Sequence, residues 1–241
     1  MPHLNLADAR IYYEVHGSGF PLLLIAPGGM RSAIPLWSNS PWDPIAHLSE
    51  HFQVIAMDQR NAGQSTGAVA AEHGWHTYAN DQLALMDHLG ASHFHTAGMC
   101  IGGPYCMGLA ARAPERVAAV VLFQPIGLDD NRALFHDMFD QWAQPLAEAQ
   151  HNDVDAAAWR QFRSNLFDGP FLFNLSEADV ATMTTPTLIL QGDDPYHPKL
   201  TSTTLAKLLP NGELLESWKP EAQQAQAQSQ VLEFLRLHTP A

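Results

Sequence analysis

The segment Gly98-Met99-Cys100-Ile101-Gly102-Gly103 restricts the possible folds more than any other part of the chain. It follows a short predicted strand, His93 to Gly98, and opens a helical stretch, Ile101 to Arg112, that stops near Pro114. A G-x-C-x-G pattern between strand and helix predicts a sharp reversal, because side chains at the flanking positions would collide with the turn. The reversal holds its central residue in a strained conformation at the carboxyl edge of the sheet, where open α/β folds bind ligands. It also sets Cys100 at a helix N-terminus, whose dipole favours thiolate, with the N–H of Ile101 facing any developing oxyanion. The plainer alternative is a Gly-rich turn around a packing cysteine.

The rest of the chain repeats the alternation of strand and helix. Arg10 to Val15 reads as a strand closed by Gly17-Ser18-Gly19. Pro21 to Ala26, Phe52 to Met57, Val117 to Phe123 and Thr187 to Gln191 are apolar runs suited to strands buried on both faces. Trp42 to Glu50, Trp75 to Leu89, Leu200 to Leu209 and Glu221 to Leu237 read as helices, and Glu213 to Glu216 as a last strand. The pattern predicts an α/β fold with a mostly parallel sheet of about eight strands flanked by helices. It breaks between Pro125 and Thr185, rich in Trp, Phe and Asp, so 125–185 is expected to be a helical cap inserted into a core of 1–124 and 186–241.

With 25 Asp+Glu against 12 Lys+Arg the net charge is −13, which argues against nucleic acid or anionic membrane as partners. The N-terminal residues show no basic and apolar leader pattern, and no apolar run nears the roughly 20 residues of a membrane span; the expected location is cytoplasmic. Cys100 and Cys106 are too few for a disulfide framework, and their spacing points them to different helix faces. Cys106 reads as packing. The sequence leaves the oligomeric state open.

Three further segments, in order, carry a resemblance to the α/β-hydrolase fold superfamily. Pro21–Arg31 is similar to that family's strand and oxyanion loop, with Pro27-Gly28-Gly29 where His-Gly-x is more usual. Asp58 to Ser65 resembles its D-x-R-G-x-G-x-S loop, and Thr187–Pro198 resembles its late strand followed by G-x-x-D-x-x-x-P, one residue shorter here between Gly192 and Asp194. The likeness to dienelactone hydrolases is confined to the cysteine at the nucleophile position.

The resemblance implies a nucleophile at Cys100, oxyanion donors at Ile101 and Gly29, and an acid after the late strand. Asp194 is the first choice for that acid, with Asp193 as fallback and Asp129 or Asp130 at the other place the family uses. The family's base lies in the loop before the closing helix, but Ser217-Trp218-Lys219-Pro220-Glu221 holds no His, and His238 lies beyond the helix. His197 is the economical substitute, since an imidazole within reach of Cys100 serves as base and a thiol needs less help than a hydroxyl. Its alternative is a helix cap or a solvent-facing ring.

His93-x-His95 and His73-x-x-His76 have metal-like spacing without a supporting cluster, and among thirteen His such pairs arise by chance. Arg31 suits either a substrate carboxylate or a surface salt bridge. Two readings follow. One is a cysteine-dependent hydrolase or acyl-transfer enzyme acting on a small ester, lactone, thioester or related acyl compound, needing neither metal nor organic cofactor. The other is a ligand-binding protein or sensor on a hydrolase scaffold, in which the missing His marks lost turnover.

Overall fold

Alternate residues of the central strands feed two separate cores, and this is what fixes the sheet in the middle of the molecule. In the computed structural model, which describes residues 2–240, nine strands form the sheet: β1 (His3–Asn5), β2 (Ala9–His16), β3 (Pro21–Ile25), β4 (Gln53–Met57), β5 (Thr66–Gly67), β6 (Phe94–Met99), β7 (Val117–Phe123), β8 (Thr187–Leu190) and β9 (Gly212–Leu215). Leu23 and Ile25 of β3, with Val120 and Leu122 of β7, pack into one core; Leu22, Leu24, Val121 and Phe123 pack into the other. Strands covered on both faces need apolar residues at every position, hence the unbroken apolar runs of the sequence. Truncating one such Leu to Ala costs about 2–5 kcal/mol.

The strand order is β1-β2-β4-β3-β6-β7-β8-β9, with β5 against β2. From β4 to β9 neighbours are parallel, while β1, β2 and β5 pair antiparallel. The expected mostly parallel sheet flanked by helices is therefore present. Strands β1 and β5 are absent from the sequence reading, because three and two residues are too few to show a period.

Helices α1 (Pro44–Ser49), α2 (Trp75–His88), α3 (Gly102–Arg112), α7 (Lys199–Leu208) and α8 (Glu221–Leu237) connect or flank the strands. Between β7 and β8 lie α4 (Arg132–Gln150), α5 (Ala156–Phe167) and α6 (Glu177–Ala181), with no strand among them. Phe139, Trp142, Trp159 and Phe162 bind α4 to α5 through edge-to-face contacts. Helix α4 also reaches the loop after β3: Arg31 donates to the carbonyl of Gln141 at 2.6 Å, and the N–H of Met30 to Met138 Sδ at 3.4 Å. Arg31 thus holds a helix carbonyl.

The Asp58–Ser65 loop is built around buried charge. Arg60 grips both carboxylate oxygens of Asp81 at 2.8 and 2.9 Å and reaches Asp8 at 2.7 Å. Removing one partner of such a buried pair strands the other, at about 3–5 kcal/mol. Of the paired histidines of the sequence, His95 and His73 are buried in packing, while His93 and His76 are exposed. His95 lies between Phe20 and Phe52 with Nε2 against Thr239 Oγ1, burial pushing its pKa down to about 4, and His73 packs edge-on against Phe162. His238 packs on Phe234 at the end of α8.

Candidate active site

Strand β6 runs straight into α3, and the turn between them leaves room for almost nothing. A Cβ on Gly98 would sit 2.5 Å from the carbonyl oxygen of Gly102, so the glycine there is a requirement of space. Cys100 adopts φ +61°, a left-handed conformation that L-residues avoid. The backbone is held there from both sides: its N–H donates to the carbonyl of Phe123 at 3.0 Å, and its carbonyl accepts from Gly103 at 3.0 Å and Ile126 at 3.2 Å. Strain of this kind persists only where the surroundings over-determine it. The half-buried Cys100 side chain emerges where the two cores meet.

The turn after β8 supplies the neighbours. Asp194 Oδ1 accepts from the N–H of Tyr196 at 2.9 Å and of His197 at 3.0 Å, a side-chain-closed turn, and His197 Nδ1 donates to the same carboxylate at 2.7–2.8 Å. Gly192 lets this turn fold back, since a Cβ would lie 2.3 Å from the carbonyl oxygen of His197. With Nδ1–H committed to Asp194, Nε2 is the free acceptor of the neutral ring. That nitrogen is buried without a regular hydrogen-bond partner, and the group it couples to is the Cys100 thiol.

Burial opposes charge on both members of this pair, yet mutual attraction wins. The Cys100 thiol would be pushed up by burial, but His197 and the backbone of Gly28 and Ile101 bring it below its ordinary value. His197, pushed down by burial, is raised by Cys100 and then Asp194. Asp194 is raised by burial and lowered more by His197, ending below the usual carboxylate range. Each member of the row Cys100, His197 and Asp194 thus shifts in the direction that favours its charged form.

The structure thus brings together Cys100, His197, Asp194 and the amide end of Ile101. The loop residue whose backbone reaches the sulfur is Gly28; Gly29, the residue expected from the sequence, lies next to it beneath Met138. Asp193 turns away to pair with Lys219, and Asp129 and Asp130 line the rim of a cleft of about 770 Å³ on the outer side of Asp194 and Pro198. Where the family's base would lie, Trp218 is buried against Phe123 and donates Nε1–H to the carbonyl of Gln191 at 2.9 Å. An indole fills that position. The roles of Gly28 and of Trp218 left no sequence signal beyond their neighbourhoods.

A crossover sheet with a thiol-bearing elbow at the carboxyl end of its central strand, opposed by a glycine loop and an acid turn, defines an α/β hydrolase scaffold. The chain belongs to the α/β hydrolase fold family, whose model matches residues 21–166. It is similar to a protein of Azorhizobium caulinodans assigned as the carbamate hydrolase RutD, 36% identical over 122 residues, which are 51% of this chain and 43% of that one. The match therefore spans less than half of that relative's length. Over 236 residues it is 25% identical to a 2-hydroxymuconate semialdehyde hydrolase of a Pseudomonas strain, covering 86% of this chain and 82% of the relative. Among solved structures, the enol-lactonase of Burkholderia xenovorans superposes with a TM-score of 0.70 at 20% identity, over 98% of this chain and 100% of that one. No helix among the described residues is long and apolar enough to cross a membrane.

Proposed function

We propose that this protein is a hydrolase that uses Cys100 as nucleophile, His197 as proton carrier and Asp194 as orienter on a small ester, lactone, thioester or related acyl compound. The observation that carries the reading is the unpartnered, buried Nε2 of His197 beside a thiol whose pKa is lowered despite burial. Relatives named for hydrolysis of a carbamate and a muconate semialdehyde lend the reaction class support.

In the first half-reaction the thiol proton passes to His197 Nε2 and the sulfur attacks the acyl carbon, whose carbonyl electrons move onto oxygen. Amides of Ile101 and of the Gly28-Gly29 turn receive that oxyanion, aided by the N-terminal end of α3. Collapse reforms the carbonyl, expels the leaving group with the proton from His197 and leaves a thioester on Cys100. Water then loses a proton to His197, attacks the thioester, and the collapse returns the acid product and the thiol. Helices α4 to α6 act as the cap over this step, and the substrate is a small molecule.

A second reading rests on Trp218 standing where the family keeps its base: the protein acylates and holds the acyl group, as a sensor would. Incubation with activated esters and lactones, following product and the mass at Cys100 together, separates the two. Turnover lost in both Cys100→Ala and His197→Ala supports the hydrolase. A stable acyl adduct on Cys100 without product supports the sensor, and neither product nor adduct ends both.

A further inference from the structure

Asn131 occupies the N-cap position of α4, a place where Asn ordinarily accepts from its own helix, yet its side chain makes no such bond. Its carboxamide points the other way. Nδ2 donates to the carbonyl of Gly127 at 3.0 Å and to the carbonyl of Pro195 at 2.9 Å, and Oδ1 accepts from the N–H of Asp129 at 2.9 Å. The residue is 7% exposed, so each bond is made in a poorly hydrated place and its loss leaves a buried carbonyl unmatched.

The partners matter more than their number. Pro195 stands between Asp194 and His197, inside the four-residue turn that presents the acid and the base. Gly127 follows Ile126, whose N–H donates to the carbonyl of Cys100 at 3.2 Å. An unbroken run therefore leads from the nucleophile's carbonyl through Ile126 and Gly127 to the Asn131 amide, and from there to the turn carrying His197. No other side chain bonds both the loop after β7 and this turn among the described hydrogen bonds. Helix α4 begins at the same residue, so its start and the His197 turn share one anchor.

We propose that Asn131 is a positioning residue that fixes the His197 turn against the Cys100 elbow, so that the imidazole reaches the sulfur only while the carboxamide bridge is intact. The inference rests on the thiol–imidazole pair of the proposed function. The charged groups facing His197 are Cys100 and Asp194. Asp129, Asp130 and Lys199 line the cleft outside Asp194, and Asp193 is engaged by Lys219.

The test reads the rate of Cys100 alkylation by iodoacetamide against pH, with melting temperature measured alongside. In the natural protein the midpoint should fall below that of an ordinary thiol. Asn131→Asp keeps size and the acceptor but removes both donors, and Asn131→Ala removes all three bonds. Each should move the midpoint up by about one pH unit and slow alkylation near neutral pH by about 5- to 10-fold, as the thiolate loses its partner. Asn211→Ala, which deletes a single, more exposed side-chain bond to the carbonyl of Thr184, should leave the midpoint unmoved. If either Asn131 variant fails to fold, Asn131→Ser carries the same measurement. A lowered melting temperature with the midpoint unmoved overturns the positioning role and leaves the Cys100–His197 pair standing. An ordinary midpoint in the natural protein overturns both.

Discussion

Cys100 and Cys106 lie six residues apart on one strand–helix unit, and the structure treats them in opposite ways. Cys106 is fully buried in the body of α3, its Sγ 3.1 Å from Thr96 Oγ1, and burial pushes its thiol up to about 12. Cys100 meets a burial penalty of the same sign but ends below its ordinary value, because an imidazole and two backbone contacts face it. The lesson is that a thiol's reactivity is set by what faces the sulfur, with depth in the protein a secondary matter.

Exchanging the nucleophile should open the widest gap between the two. Cys100→Ala is expected to lower turnover of any accepted ester by about 10³-fold or more, measured as kcat/KM, whereas Cys106→Ala should leave it within about twofold. Equal losses in both variants would erase the distinction. Next, His197→Ala should cost about 10²- to 10⁴-fold and return Cys100 alkylation to ordinary thiol behaviour, while Cys106 stays inert. Asp194→Asn should follow, at about 10²-fold or more, by releasing the ring from its tautomer.

The pH dependence sharpens the contrast further. A thiol with a depressed folded-state pKa favours the folded state above its ordinary value, and this is lost as pH falls through the lowered one. The raised His197 contributes in the opposite sense: present below the ordinary imidazole value and lost as pH rises through the raised one. Activity should therefore form a bell whose acid limb lies below an ordinary thiol midpoint and whose alkaline limb lies above an ordinary imidazole midpoint, seen in kcat/KM against pH. A single limb near the free-thiol value would break the pairing. The smallest effect belongs to Cys106→Ala on stability, about 1–2 kcal/mol from a small cavity and an orphaned Thr96 hydroxyl, read by denaturant melts.

The fold was legible because covered strands leave unbroken apolar runs and a tight elbow demands glycine at Gly98, both properties of local sequence. Asp194 and His197 could be paired on paper because three residues of separation keep them in one turn. Their approach to Cys100 depends on how β6 and β8 align across the sheet, which no spacing encodes. Asn131 illustrates the same limit. Beside Asp129-Asp130 and ahead of a helix it reads as an ordinary cap, and only the tertiary placement of Pro195 redirects its amide. Within the Gly28-Gly29 pair nothing in the residue types distinguishes one amide from the other, and it is the structure that sets the backbone of Gly28 against the Cys100 sulfur.

Housing the proposed acid and base, Asp194 and His197, within one four-residue turn would concentrate the site's fragility. In the arrangement typical of the family, two separate loops drift independently, and a length change in one leaves the other's residue where it was. Under the proposed roles, a single inserted or deleted codon between Asp194 and His197 would disable both supports at once, while the segment around Trp218 would answer to packing constraints alone.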